Sequence, residues 1–384
     1  NRRTMAVYPA GGSRLSLGGR EFLSFASNDY LDFLSRDYLD LFSQVERCSG
    51  RGDMVPLLAT GSGSSRLVSG NTVEHSQLED TLARFKQVES ATLYGSGYLA
   101  NLGLFPVLCS RDDVVIADRL IHASMIDGIM LSRARLMRFQ HNDMAQAEAM
   151  LKKAAGQRRQ GSALILATES VFSMDGDCAP LAELVELAGR YDAWLVVDEA
   201  HAFGVFGDAG RGCLSRYRGC EEIAAAVGTL SKALGSYGGF VTGPALLKEL
   251  LVNRSRTLIY TTALPPVVAA SARAAVMILE REPDLGVRLL KKAELFRRAL
   301  SAAGIETIPG ESQIVAVVVG GNENTVNAAA ALRELGYIVP AIRSPTVPEG
   351  TERLRFSLTL GHKDEEILQL AEDLRSVLSN RKTL

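Results

Sequence analysis

The sequence carries almost no excess charge of either sign: 42 Lys and Arg stand against 44 Asp and Glu, a net charge of -2. Without a basic footprint, nucleic acid is not an expected partner. No apolar run approaches the length of a membrane span, and no signal peptide is expected. The chain starts at Asn1 rather than Met, so a short leading segment is expected to be missing. Its five cysteines (Cys48, Cys109, Cys178, Cys213, Cys220) form no Cys-x-x-Cys pair and have no histidine at ligand spacing. That argues against a zinc site and a disulfide framework, so no metal and a reducing, cytoplasmic compartment are expected. All five read as small buried hydrophobes. The Gly/Ser loop Thr60-Gly61-Ser62-Gly63-Ser64-Ser65-Arg66 is not a dinucleotide fingerprint, because no strand leads into it and its glycine spacing is wrong. A dehydrogenase is a poor reading on that ground.

What is present is a rhythm of short apolar runs separated by helical segments. Ala91 to Tyr94 is followed by Gly95-Ser96-Gly97-Tyr98, and Val114 to Ala117 by Asp118 and His122. Ala163 to Ala167 leads to Glu169 and Ser173, Trp194 to Val197 to Asp198 and His201, and Ile223 to Val227 to Thr229 and Lys232. Continuously apolar strands alternating with helices predict an α/β fold: a large domain with a mostly parallel central sheet covered by helices. Ligands bind outside the carboxyl ends of such strands. Each polar residue just named has a structural excuse, such as a helix cap or a backbone partner. Five successive strand ends carrying such groups point instead to one shared active site.

Around this domain the pattern is different. Arg14-Leu15-Ser16-Leu17 before Gly18-Gly19 predicts a short β-hairpin within an N-terminal segment of residues 1–40. Ser27-Asn28-Asp29-Tyr30-Leu31 reads most simply as a helix cap. His75 sits on an amphipathic helix, where packing is the safer reading than a ligand contact. The large domain is expected over 41–265, closed by Pro265-Pro266. A smaller α+β C-terminal domain follows over 266–384, with a helix around 287–303, strands at 314–319 and 337–339, and a helix over 324–335 ending at Gly336. The alternation Arg353-Leu354-Arg355-Phe356-Ser357-Leu358 places Arg353 and Arg355 on one face of a strand.

The stretch from Gly228 to Gly243 holds the decisive lysine. Lys232 stands among Thr229, Ser231 and Ser236, with Gly235, Gly238 and Gly239 just downstream. A lysine on an irregular segment between buried strands can be held desolvated and reactive toward an aldehyde. One cofactor needs a lysine, a carboxylate, two histidines and a phosphate nest at strand ends: pyridoxal 5'-phosphate. Lys232 suits its aldehyde, Asp198 its ring nitrogen, His201 its phenolic oxygen, and His122 a ring face. The Gly97 and Tyr98 N–H groups and the Thr229 hydroxyl suit its phosphate.

The motifs Val197-Asp198-Glu199-Ala200-His201-Ala202-Phe203-Gly204, Ser69-Gly70-Asn71, His122-Ala123-Ser124, Phe172-Ser173-Met174-Asp175-Gly176-Asp177 and Thr229-Leu230-Ser231-Lys232 resemble the α-oxoamine synthases. These are fold-type-I pyridoxal phosphate transferases that condense an amino acid with an acyl thioester. The resemblance runs over nearly the whole chain in the family's order. It departs at Asp32, where the family has glycine, and near Ser231, where it has glycine or alanine. Ser27-Asn28-Asp29-Tyr30, Arg133-Ala134-Arg135 with His141-Asn142-Asp143, and Pro345-Thr346-Val347-Pro348 are similar to the branch serving biotin biosynthesis. That branch joins L-alanine to a pimeloyl thioester carried on CoA or acyl carrier protein. Glycine-using branches, forming 2-amino-3-ketobutyrate or 5-aminolevulinate, are the alternative, and a non-catalytic subunit on the same fold is a further one.

The resemblance implies roles. Lys232, His122 and Asp198 are the catalytic set, with Ser173 joining Gly97, Tyr98, His201 and Thr229 around the cofactor. Arg355 holds the amino-acid carboxylate with Asn28 assisting, and His122 also donates to the developing oxyanion. Arg3 and Thr346 match substrate-contacting positions. A homodimer is implied, with Thr261 or Thr262 reaching the other subunit's cofactor. Lys232→Ala should abolish turnover while the far-ultraviolet circular dichroism stays that of the native fold; retained turnover would remove Lys232 from the catalytic set.

Overall fold

The computed structural model describes Tyr8 and residues 11–35 and 59–379. Arg3 and Cys48 lie outside these residues. The chain divides into two compact units: Asp37–Phe172 with Cys178–Asp284, and Asn1–Arg36 with Ser173–Asp177 and Leu285–Leu384. These bounds differ from the expected 1–40, 41–265 and 266–384. The N-terminal hairpin belongs with the later part of the chain, and the helix Pro266–Arg281 belongs to the larger unit.

In the smaller unit, β1 (Arg14–Leu17) and β2 (Arg20–Ser24) pair antiparallel across Gly18-Gly19. Both glycines have positive φ, +59° and +79°, which a two-residue hairpin turn demands.

The larger unit is built on seven strands: β3 (Ser90–Tyr94), β4 (Val114–Asp118), β5 (Arg135–Phe139), β6 (Leu164–Glu169), β7 (Trp194–Asp198), β8 (Ile223–Thr229) and β9 (Gly239–Gly243). Their order is β3-β9-β8-β7-β6-β4-β5. Only β9 runs antiparallel to its neighbours. Successive residues of the central strands feed opposite cores. Val115, Ala117, Ile165, Ala167 and Val196 pack with Leu104, Phe105, Met125 and Ile129 on one face. Ile116, Leu164, Leu166, Leu195 and Val197 pack with Leu151, Leu184 and Leu187 on the other. A strand buried on both faces has no polar position to spare, which explains its continuous apolar sequence. The edge strand β5 did not show as a strand in the sequence because it is largely open to solvent and carries Arg135 and Arg138.

Helix α1 (Val73–Lys86) precedes the sheet, and α2 (Gly97–Leu108) and α3 (Ala123–Ser132) start at the site. His75 on α1 is fully buried, with Nδ1 accepting from Thr72 N and Nε2 2.9 Å from the Leu264 carbonyl. Packing is its role. The four described cysteines are free, but only Cys109 is buried; Cys178, Cys213 and Cys220 are half-buried, correcting the expectation that all would be core residues. The three lie on connecting segments or a short 3-10 turn rather than on the sheet.

The smaller unit continues with β10 (Ile314–Val318), β11 (Tyr337–Ile338), β12 (Ala341–Ile342) and β13 (Arg353–Ser357). β13 is central in a three-stranded antiparallel sheet, β10-β13-β12, while β11 extends the hairpin. Gly336, φ +100°, ends the helix Asn322–Glu334 and turns into β11. Asp29 caps the short turn Phe33–Ser35, accepting from Phe33 N at 3.0 Å and Leu34 N at 2.8 Å. Asp32 adopts φ +57°, the conformation for which glycine is the easy residue. Its carboxylate compensates by accepting from Ser13 N and the Ser35 hydroxyl.

His362 stacks on Phe25 with ring centroids 4.0 Å apart. It takes the Thr359 N–H on Nδ1 and points Nε2 at the Ser24 carbonyl, 3.1 Å away. Burial lowers its pKa from 6.5 to about 4. The unfolded chain therefore binds the proton first, so this contribution to stability is complete above pH 6.5 and is lost as pH falls toward 4. The loss should reach about 3 kcal/mol. His362→Asn should be less stable at neutral pH, with a shallower decline over that window in urea titrations; an unchanged pH slope would contradict the assignment.

Candidate active site

The larger unit brings Lys232, His201, Asp198, His122, Thr229, Gly97 and Tyr98 to the carboxyl ends of its parallel strands. The β6–β7–β8 register aligns Glu169 with Asp198 and Asp198 with Val227. Beyond β8 the chain loops back at once, because Leu230 N bonds the Gly238 carbonyl and Ser236 N bonds the Leu230 carbonyl. Gly235 and Gly238 have positive φ within this loop. Thr229 ties its two ends, donating from Oγ1 to the Gly238 carbonyl at 2.9 Å. Lys232 is held half-buried at its apex, Nζ 2.9 Å from His201 Nε2.

Asp198 is buried and satisfied on both oxygens. Ala200 N donates to Oδ1 at 2.8 Å, and Asn101 Nδ2 donates to Oδ2 at 2.7 Å. Glu169 beside it is a different case. Burial, and then the negative charge of Asp198, push its carboxyl well above the ordinary range, against the pull of Lys232 and the His122 N–H. Two adjacent buried carboxyls cannot both ionise cheaply.

His122 caps α3, its ring Nδ1 accepting from Ser124 N at 3.3 Å and lying 2.7 Å from Ser124 Oγ. Surrounding protein desolvates the imidazole and lowers its pKa; Asp198 opposes the shift and Lys232 adds to it. Tyr98 meets the same ring edge-on, with centroids 6.3 Å apart. Ser96 caps α2 through Leu99 N, leaving the Gly97 and Tyr98 N–H groups at an open helix start. A Cβ on Gly239 would stand 2.4 Å from Gly97 N, so β9 reaches this cradle only as bare backbone.

The smaller unit holds a second constellation. Both terminal nitrogens of Arg355 lie 3.3 Å from Asn28 Oδ1, and Arg355 Nε donates to the Ser173 carbonyl at 2.6 Å. Ser357 Oγ and Tyr30 OH also donate to Asn28 Oδ1. Thr346 stands on an exposed turn, its N–H bonded to the Arg343 carbonyl. Sequence reasoning missed Asn101 altogether. The available signal was one amide in an otherwise apolar helix, Gly97–Leu108.

The aminotransferase class I and II family model matches residues 20–374. The chain belongs to this family. The 8-amino-7-oxononanoate synthase of Geobacter sulfurreducens is 46% identical over 317 residues, 82% of this chain and 80% of that protein. Among solved structures, the serine palmitoyltransferase of Sphingomonas wittichii is similar at TM-score 0.87 and 29% identity, covering 97% of this chain and 91% of that one. The 8-amino-7-oxononanoate synthase of Francisella tularensis is similar at TM-score 0.77 and 30% identity, covering 94% and 99%. The architecture is that of fold-type-I transferases, with α-oxoamine synthases as its neighbours.

The residues of the larger unit fit pyridoxal phosphate. They offer an amine, a buried acceptor for a ring N–H, an imidazole beside the amine, and an open helix start beside a glycine-only approach. Asp198→Asn would replace a charged acceptor with a neutral one, so affinity for the cofactor should fall at least about tenfold by equilibrium dialysis. Unchanged affinity would contradict the assignment.

Proposed function

We propose that this chain is a pyridoxal-phosphate-dependent acyltransferase that condenses L-alanine with a pimeloyl thioester. The products are 8-amino-7-oxononanoate, carbon dioxide and the free thiol carrier. The observation that carries this reading is the gathering of Lys232, His201, Asp198 and His122 at strand ends of one unit. It occurs in a chain 46% identical to a synthase of that name. When bound, pyridoxal phosphate supplies an aldehyde that takes up amines and a ring that accepts the electron pair released at the amino acid's α-carbon.

The chain's own residues supply the rest. Lys232 would hold the cofactor through Nζ and, with that amine free, would take the amino acid's α-proton. Asp198 would accept a hydrogen bond from the ring N–H and stabilise its positive charge. His201 would bond the phenolic oxygen, and the first-turn N–H groups at Gly97 and Tyr98 would hold the phosphate; Thr229 and Ser173 are assigned to the cofactor by motif position alone. His122 would stack on the cofactor and would donate to the oxygen that becomes negative when the thioester carbonyl is attacked. Arg355 and Asn28 are assigned to the amino-acid carboxylate on chemistry: a guanidinium fork fits a carboxylate, and an amide oxygen already orients it. Arg3 and Thr346 are assigned to the acyl substrate by motif position alone. The working assembly is a homodimer, with Thr261 or Thr262 directed at the other subunit's phosphate, in the cytoplasm. No described helix is long and apolar enough to cross a membrane.

A second reading, an acyltransferase using glycine or serine, is favoured by the higher TM-score against the serine palmitoyltransferase, 0.87 compared with 0.77. Purified protein should be supplied in turn with alanine, glycine and serine, each with pimeloyl-CoA, pimeloyl acyl carrier protein, acetyl-CoA, succinyl-CoA and palmitoyl-CoA. Release of thiol and carbon dioxide should require alanine with a pimeloyl donor. Indifference to alanine would overturn the proposal.

A further inference from the structure

We infer that Asn101 is a positioning residue that locks two catalytic side chains at once, fixing the Asp198 carboxylate directly and the tautomer of His122 through Ser124. All four groups lie in the larger unit. Asn101 and Ser124 are buried, on the facing helices α2 and α3. The amide orientation follows from its neighbours. Turning Oδ1 toward Asp198 would set acceptor against acceptor, so Nδ2 faces the carboxylate.

Nδ2 has two hydrogens, and both have takers: Asp198 Oδ2 at 2.7 Å and Ser124 Oγ at 3.0 Å. Ser124 Oγ thus accepts from Asn101 and has one hydrogen of its own left to give. It gives it to His122 Nδ1, 2.7 Å away, while Ser124 N–H approaches the same nitrogen at 3.3 Å. An imidazole nitrogen that accepts twice cannot carry a proton. The neutral ring is therefore protonated on Nε2, its other edge. Protonating Nδ1 as well would break both bonds, which acts in the same direction as the surrounding desolvation. The charged and titratable groups about the ring are Asp198, Lys232, Asp127 and Tyr98, with Glu169 taking the His122 backbone N–H.

The consequence is directional. His122 presents an N–H donor on the edge turned away from the helix cap, suited to an oxygen that gains negative charge. Asn101 couples that donor to Asp198, so one amide aligns both residues before substrate arrives. The catalytic meaning rests on the proposed function; the tautomer does not, because it can be read in the full chain with no cofactor added.

The test is two-dimensional nitrogen–proton NMR of the ring in the full-length protein labelled with nitrogen-15 histidine, before and after pyridoxal phosphate is added. His122→Asn assigns the signal among the five histidines. Wild type should show the Nε2–H tautomer in both states. In Asn101→Leu, Ser124 Oγ is freed to accept from the ring, and the ratio of Nε2–H to Nδ1–H should fall about fivefold, the worth of one hydrogen bond. Should that variant fail to fold, Ser124→Ala removes the same donor and should lower the ratio likewise. A wild-type ring protonated on Nδ1, or a ratio unmoved by the variant, would overturn the inference. A chain that shows the expected tautomer but binds no pyridoxal phosphate would sink the proposed function and leave this inference standing.

Discussion

The buried carboxylate of Asp198 is the constraint on which the larger unit's chemistry depends. It ends a central strand and is buried, where an unpartnered negative charge would be prohibitive. The fold answers with two short hydrogen bonds, one from the next turn of chain at Ala200 and one from Asn101. Its negative charge then acts on the neighbours: after burial, it is what pushes the Glu169 carboxyl well above the ordinary range. The same charge counters the desolvation of His122. What looks like a collection of separate residues is one electrostatic arrangement about a single anion.

Parallel strands in register make that arrangement possible. With β6, β7 and β8 side by side, the last residues of each lie at one edge, and the chain leaving β7 and β8 carries His201 and Lys232. β9 then runs back against the start of α2, where glycine at 239 leaves the backbone bare. The hydrogen bonds of the β8–β9 loop hold Lys232 over this edge, with Leu230, Ala233 and Leu234 buried around it.

Much of this was legible in the sequence because burial on both faces forces strands to be continuously apolar, which makes their polar ends conspicuous. Asp198, His201 and Lys232 could be found that way. The edge strand Arg135–Phe139 could not, since exposure lets it carry arginines. Asn101 escaped because a helix offers no end to mark a functional position; only its polarity among Leu, Ala and Phe hinted at a task. The pairing of Asn28 with Arg355, which are 327 residues apart, is invisible to any local pattern and was reached through the resemblance of motifs. Asp32 shows the reverse case. A departure from glycine is accommodated by hydrogen bonds that only the fold supplies.

The central claim is that one amine, Lys232, bonds the aldehyde of pyridoxal phosphate. Borohydride reduction of the protein purified with the cofactor, followed by peptide mapping, tests it most directly. The account predicts a single pyridoxyl-modified peptide, labelled at Lys232. A label on another lysine, or none on a protein that has bound the cofactor, would contradict it.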